Sequence, residues 1–192
     1  MIIGITGVFG SGKTTVSSEF SKLGFKVINA DKIGHKLLNQ TKIKNKAIKL
    51  FGRSILTRGK IDRRKLKDIV FYDKDELIKL NKIIHPEIVK EIKAIIKRSN
   101  NKDIVVDGAL LVEAGFKADF MVVVKVNKEN QMKRLLKKGK YNKQEINNII
   151  KSQMPQNKKL RYADFVIDNN KSIKDLRAKV TNLVSQLDEI QK

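Results

Sequence analysis

Cysteine is absent from this chain of 192 residues, which excludes disulfides, thiolate metal sites and a thiol nucleophile, and fits a reducing compartment. Tryptophan is absent too. With only 3 tyrosines, and no aromatics interleaved among the basic residues, the chain has no stacking platform for single-stranded nucleic acid. No apolar run approaches a membrane span, and the first residues carry no basic leader ahead of an apolar stretch. The reading is a soluble, cytoplasmic protein without a membrane partner. Proline occurs twice, and neither repeats nor low-complexity linkers divide the chain, whose length suits one well-buried domain. Acidic residues are scarce as well, 20 against 42 lysines and arginines, for a formal net charge of +22. Such a field attracts polyanions. The lysines, however, are scattered beside Asn and Ile along nearly every predicted helix, which describes a generally basic surface and not a dedicated nucleic-acid face. Nucleic acid is therefore not expected as a specific partner, and the expected state is a monomer or weak homo-oligomer.

The chain opens with a strand-like run that feeds into Gly7-Val8-Phe9-Gly10-Ser11-Gly12-Lys13-Thr14 and then into a helical pattern. This is G-x-x-x-x-G-K-[ST] in the strand-turn-helix setting that a phosphate-binding loop requires. The glycines let successive backbone N–H groups turn toward phosphate oxygens, and the helix N-terminus adds partial positive charge. Gly10, Ser11, Gly12, Lys13, Thr14 and Thr15 are thus expected to cradle a nucleoside triphosphate. Lys13 reaches the β- and γ-phosphates and the Thr14 hydroxyl joins the shell of Mg²⁺.

Short apolar runs rich in β-branched residues at 2–5, 27–30, 104–106, 120–126 and 165–167 read as strands buried on both faces of a mainly parallel sheet. Helices are expected at 14–23, 127–138, 143–153 and 172–190, and Gly24 ends the first of them. Between 32 and 99 no strand stands out, only helical stretches broken near 39–41, 52–62 and His85-Pro86. Phosphoryl transfer needs a second substrate held in line, so a helical acceptor-binding insertion is expected at about 32–100. The basic Lys137-Lys138-Gly139-Lys140 turn falls within an expected helical lid at about 135–155.

Several residues are placed to carry chemistry. Asp31 follows the second strand at the sheet edge where open α/β sheets bind ligands; its carboxylate either accepts a proton from an attacking hydroxyl, helps hold the metal, or caps a helix beginning at Lys32. Asp107 ends an apolar strand, the pattern that delivers an acid beside Mg²⁺ and its waters. Glu113, six residues on, is either a substrate ligand or a helix-surface acid. Arg134 and Arg161 stand out in a chain that prefers lysine, because a guanidinium binds phosphate oxygens bidentately; each is equally readable as a surface ion-pair member. Arg63 and Arg64 open a helix inside the insertion and suit an anionic acceptor or plain solvation. His85, before Pro86, fits packing or capping better than base chemistry, and His35 has no better case.

Two signatures of guanine-nucleotide switches are missing. Asn127-Lys128-Glu129-Asn130 carries Asn where a base-reading acid belongs, and Asp107 is followed by Leu110 where a switch needs Gly. A switch or interaction protein, or a kinase for another small acceptor, is the alternative class. The ordered set of motifs resembles the dephospho-coenzyme A kinases. It runs through Gly4-Ile5-Thr6-Gly7 to Thr14-Thr15-Val16; Val27-Ile28-Asn29-Ala30-Asp31; Ile61-Asp62-Arg63, Leu66 and Val70-Phe71; Leu80 and His85-Pro86; Asp107, Leu110-Leu111 and Glu113; Gln131 and Arg134; Gln153; and Ala163-Asp164 with Val166-Ile167-Asp168-Asn169. The resemblance implies an α/β P-loop NTPase three-layer sandwich with a five-stranded mainly parallel sheet, related to nucleoside monophosphate kinases. It also implies transfer of phosphate from ATP to the ribose 3′-hydroxyl of dephospho-coenzyme A, the last step of coenzyme A synthesis, with Mg²⁺ as cofactor. On that basis Lys13, Asp31 and Arg134 are catalytic, Arg161 joins the ATP site, Asp31, Arg63, His85, Asp107, Leu110 and Glu113 bind acceptor, and Thr14 with Asp107 (through water) serves the metal. The chain departs from the family pattern at Asn29 (usually Asp), Ala109 (Pro), Val112 (aromatic) and Lys138 (Arg).

Overall fold

A computed structural model describes residues 1–70 and 72–190; Phe71, one of the resembling residues, lies outside the described residues. In chain order the elements are β1 (Ile2–Thr6), α1 (Lys13–Lys22), β2 (Lys26–Asn29), α2 (Ala30–Leu37), α3 (Thr41–Phe51), β3 (Leu56–Thr57), β4 (Lys60–Ile61), α4 (Arg63–Val70), α5 (Lys74–Lys97), β5 (Ile104–Asp107), β6 (Phe120–Lys125), α6 (Lys128–Lys137), α7 (Lys143–Ser152), α8 (Gln156–Lys159), β7 (Phe165–Asp168) and α9 (Ile173–Ile190). They divide into two compact units, one of Met1–Ile28 with Ser99–Lys192 and one of Asn29–Arg98.

The first unit is built on a five-stranded sheet in the order β2-β5-β1-β6-β7. β1 pairs in parallel with β5 on one side and β6 on the other, and β6 pairs in parallel with β7. Alternation along β1 sends Ile3 and Ile5 into one layer, where they meet Val16 and Phe20 of α1 and Leu176, Val180, Leu183 and Leu187 of α9. The spacing of those four α9 residues is the stripe of an amphipathic helix laid on a sheet. Because β1 is flanked by strands that come later in the chain on both sides, its C-terminal end is the switch point where open parallel sheets bind ligands. All five expected strands are present, and the glycine-rich loop leaves the sheet at that point.

The second unit has a core of its own, formed by Leu38, Ile43, Ala47, Ile55, Ile61, Leu66, Val70 and Ile84, with α2, α3 and α4 packed against α5. It departs from the sequence reading twice. The expected break at 52–62 holds a β-hairpin, β3–β4, whose two turn residues Arg58 and Gly59 both have positive φ, 50° and 74°, as a primed two-residue turn requires. The expected break at His85-Pro86 does not occur, for α5 runs through Pro86 without ending. A proline there removes one N–H and crowds the preceding turn at a cost of about 3 kcal/mol. The burial of α5 against three other helices outweighs it.

Candidate active site

The loop after β1 owes its shape to residues that no side chain could replace. Gly10 and Gly12 sit at φ 79° and 95°, the left-handed region. A Cβ on Gly10 would come within 2.8 Å of Leu135, and one on Gly12 would run into the Asn169 amide. Asn169 is buried and donates from Nδ2 to the Ser11 carbonyl at 2.8 Å, so the strand end of β7 holds the phosphate loop from behind. Within the loop the Ser11 N–H is turned to Val8 O (3.1 Å) and the Thr15 N–H to Gly12 O (3.0 Å). The N–H groups of Gly10, Gly12 and Thr14 have no partner among the described residues. They form the concave run of amide donors, at the start of a ten-residue helix, that suits an anion. Lys13 curls over the same loop, with Nζ at 3.2 Å from Gly7 O and 3.3 Å from Val8 O. The Thr14 hydroxyl lies on the exposed side of the first turn of α1.

Neighbouring elements of the first unit bring three further residues into play. Asp107 ends β5 almost fully buried, at 3% exposure. Arg134 lies on α6, and its Nη1 is shielded from solvent with no hydrogen-bond partner among the described residues. A buried guanidinium nitrogen left in that state is costly, and an anionic oxygen is the natural group to satisfy it. Arg161, on a short 3₁₀ turn before β7, is exposed.

The turn after β5 also changes the reading of Glu113. Its carboxylate was expected on a helix surface or against substrate; instead both oxygens accept from Lys159 Nζ at 2.7 Å, and Oε1 also accepts the Met154 N–H at 3.1 Å. Lys159 has no exposed side-chain surface, and its third donor goes to Ala109 O at 2.7 Å, which also receives the Thr6 hydroxyl at 3.2 Å. Burial lowers the Lys159 pKa below the ordinary lysine value, with Glu113 opposing the shift. Leu110, half-buried in this turn, is therefore carried on a loop pinned by an internal ion pair.

In the second unit Asp31 and His35 are one turn apart on α2, and Arg63 Nη1 lies 2.8 Å from His35 Nδ1. Burial, and then the Arg63 charge, lower the His35 pKa, while Asp31 acts to raise it. The helix begins at Ala30 rather than Lys32, and Asn29 Oδ1 caps it by accepting the Lys32 N–H at 2.7 Å. Asp31 is thus not the cap. Its carboxylate is exposed in the first helical turn. Asp62 caps the start of α4 through the N–H groups of Arg64 (2.9 Å) and Lys65 (3.4 Å), which fixes the backbone that carries Arg63. His85 lies within α5 at only 9% exposure.

The family model described as CoaE, dephospho-CoA kinase, matches residues 1–175. The chain belongs to the dephospho-CoA kinase family. It is 41% identical over 183 residues to the dephospho-CoA kinase of Fusobacterium nucleatum subsp. nucleatum, covering 94% of this chain and 95% of the relative. Among solved structures, a dephospho-CoA kinase from Campylobacter jejuni superposes with a TM-score of 0.61 at 29% identity, covering 96% of both chains. The Thermus thermophilus protein TT1252 superposes with a TM-score of 0.81 at 26% identity over 97% of both. Members of the family are kinases that use ATP and carry out the final step of coenzyme A synthesis.

Against that family background, two sets of residues were not given roles from the sequence. For His35 the signal is its place four residues from Asp31, the spacing that puts two side chains on one helix face. Lys159 carries no signal at all in a chain with lysines throughout. Asn29 replaces the family's usual acid without loss of the cap, because Asn and Asp serve equally well there.

Proposed function

We propose that this chain transfers the γ-phosphoryl group of ATP to the ribose 3′-hydroxyl of dephospho-coenzyme A. The observation that carries the reading is the loop at the end of β1, where free amides, a helix N-terminus and the Lys13 ammonium converge, in a chain of the dephospho-CoA kinase family. The amides of Gly10, Gly12 and Thr14 take phosphate oxygens. Lys13 leaves the Gly7 and Val8 carbonyls for the β- and γ-phosphates, where its charge meets that developing in the transition state. Arg134 supplies a guanidinium with one buried nitrogen, Nη1, and Arg161 an exposed one. Asp31 orients the acceptor hydroxyl and takes its proton as the new O–P bond forms and the bond to the ADP oxygen breaks. His35 stands one turn from Asp31 and carries Arg63 beside it, Arg63 taking an anionic part of the acceptor, while Leu110 forms apolar wall and the Glu113–Lys159 pair holds that wall in shape. His85 serves through packing rather than direct contact. Because such transition states are loose, positioning and charge neutralisation dominate over base strength.

Among the described residues no three acidic or histidine side chains cluster to hold a metal. One hydroxyl and one buried acid, Thr14 and Asp107, are what a Mg²⁺ ion arriving on ATP needs, since that ion keeps several waters and takes most other ligands from phosphates. Mg²⁺ would be held by the Thr14 hydroxyl and, through water, by Asp107, and would supply neutralisation of phosphate charge. No helix of the described residues is long and apolar enough to cross a membrane. We place the enzyme in the cytoplasm as a monomer or weak homo-oligomer, with Asn29–Arg98 binding acceptor and the segment at about 135–155 acting as a lid.

The test is incubation with MgATP and dephospho-coenzyme A, with AMP, shikimate and no acceptor in parallel, following ADP and the acceptor's mass. One phosphoryl group added only to dephospho-coenzyme A is expected. Equal ADP in every tube, or phosphate on a different acceptor, overturns the assignment.

A further inference from the structure

Phe9 of the phosphate loop is gripped at three points by the stretch that runs from α6 to the end of α7. Its carbonyl accepts from Gln131 Nε2 on α6 at 2.5 Å, and its N–H donates to Gln153 Oε1, just past α7, at 2.8 Å. Its ring meets the Tyr141 ring edge-on, with centroids 5.5 Å apart and planes at 85°. The two glutamines thus bracket the rest of α6, its connection and α7, and both close on a single loop residue. Gln131 is itself buried, and Arg134 stands one turn further along the same helix, on the same face. Leu135 packs on Gly10 of the same loop.

We propose that Gln131 and Gln153 are positioning residues that fix the register between the phosphate loop and the α6–α7 segment, with Phe9 as the shared fixture. The proposal rests on the kinase reading above, in which Arg134 must meet the phosphates held by the loop. The direction of each bond is set by the backbone. Phe9 N–H requires an oxygen from Gln153, and Phe9 C=O requires an N–H from Gln131. Each glutamine therefore has one correct orientation; a one-residue slip of α6 would lose the Gln131 bond and a slip of α7 the Gln153 bond. Each glutamine acts by holding Phe9, and through it Gly10 and Ser11, in place.

The two sites respond differently to the same chemical change. Gln153→Glu keeps an acceptor for the Phe9 N–H, whereas Gln131→Glu sets a carboxylate against the Phe9 carbonyl. Both add one negative charge beside the same residue, but Gln131 is buried and Gln153 half-buried, so the uncharged Gln131→Met separates bond direction from the cost of burying a charge. ATP affinity is read by titration without acceptor, and KM for each substrate and kcat by turnover, on the full chain. Gln131→Glu is expected to lose about tenfold more ATP affinity than Gln153→Glu, in line with leaving a buried polar group unsatisfied. KM for dephospho-coenzyme A is expected to stay the same in both. Gln131→Met, uncharged and similar in length, is expected to weaken ATP binding and kcat by about tenfold as well, and keeps the test valid should Gln131→Glu fold poorly. Equal losses in the two Glu variants, or a Gln131→Met enzyme with wild-type ATP affinity and kcat, would overturn the proposal. A wild-type protein that binds ATP but does not phosphorylate dephospho-coenzyme A overturns the kinase reading instead, and the clamp is then judged on ATP affinity by the same comparison.

Discussion

Replacing Lys159 with methionine keeps most of the apolar stem and removes only the ammonium. That group makes three contacts at 2.7 Å, two to Glu113 and one to Ala109 O, from a side chain with no exposed surface. Breaking a buried ion pair by deleting one partner costs about 3–5 kcal/mol, because the other charge is left without its counterion. Glu113 is not fully enclosed: its side chain is 18% exposed and keeps the Met154 N–H. Water and that bond recover part of the loss, so the expected cost is about 2–3 kcal/mol. For a chain of this size each kcal/mol shifts the melting temperature by about 2–4 °C, which puts the Lys159→Met drop at about 4–12 °C. Adding Glu113→Gln removes the stranded charge while keeping an acceptor for Met154, and Ala109 O retains the Thr6 hydroxyl. The double variant is therefore expected to recover at least half of the loss. Thermal melts by circular dichroism of the wild type, the single and the double variant measure both effects. A single variant that melts with the wild type, or a double variant no more stable than the single, would refute the view that the pair is a coupled, buried unit.

Other perturbations test the remaining parts. Lys13→Ala removes the ammonium that faces the transferring phosphoryl group and is expected to lower kcat by roughly 10²-fold or more; near-normal turnover would remove Lys13 from the mechanism. Gly12→Ala forces a side chain into a φ of 95° and onto the Asn169 amide, so ATP affinity measured by calorimetric titration should fall steeply, and an unchanged affinity would contradict the loop geometry. The Lys159 pKa is lowered on folding, so the native state holds that proton less tightly than the unfolded chain does. The resulting penalty is fully present below the folded pKa and is relieved as pH rises toward the ordinary lysine value of 10.5. The stability of the wild type minus that of Lys159→Met, from denaturant melts at several alkaline pH values, should therefore grow across that window; a gap that shrinks would reverse the sign of the shift.

The strands β1, β5 and β6 were legible because each is a short β-branched run buried along nearly its whole length; β2 and β7 share the composition but lie at the sheet edges, where burial on both faces does not hold and Val166 is 51% exposed. The phosphate loop was legible because its chemistry demands fixed residue types at fixed offsets. The hairpin was not, since two strands of two residues have no periodicity to read, and its turn places Arg58 at a positive φ that sequence preference would give to Asn or Gly. Pro86 misled for a different reason. A local rule about a missing N–H was overridden by packing contributed from α2 and α3, distant in sequence, and from the preceding helix α4.

The residues that hold the loop were visible as letters but not as roles. Gln131, Gln153 and Asn169 each act on a backbone atom of Phe9 or Ser11, more than a hundred residues away, and no spacing rule connects a side chain to a distant peptide group. Their chemistry has a common logic. In a chain of net charge +22, lysine is the commonest donor at hand, yet all three braces are uncharged amides. An ammonium has no acceptor with which to take the Phe9 N–H, and a carboxylate has no donor for the Phe9 or Ser11 carbonyls. A charged brace would also add a fixed field beside the phosphates that does not change as the γ-phosphoryl group moves. Neutral braces leave that field to Lys13 and Arg134, the groups aimed at the transferring charge, so the support of the loop and its electrostatics are carried by different residues and can be altered separately.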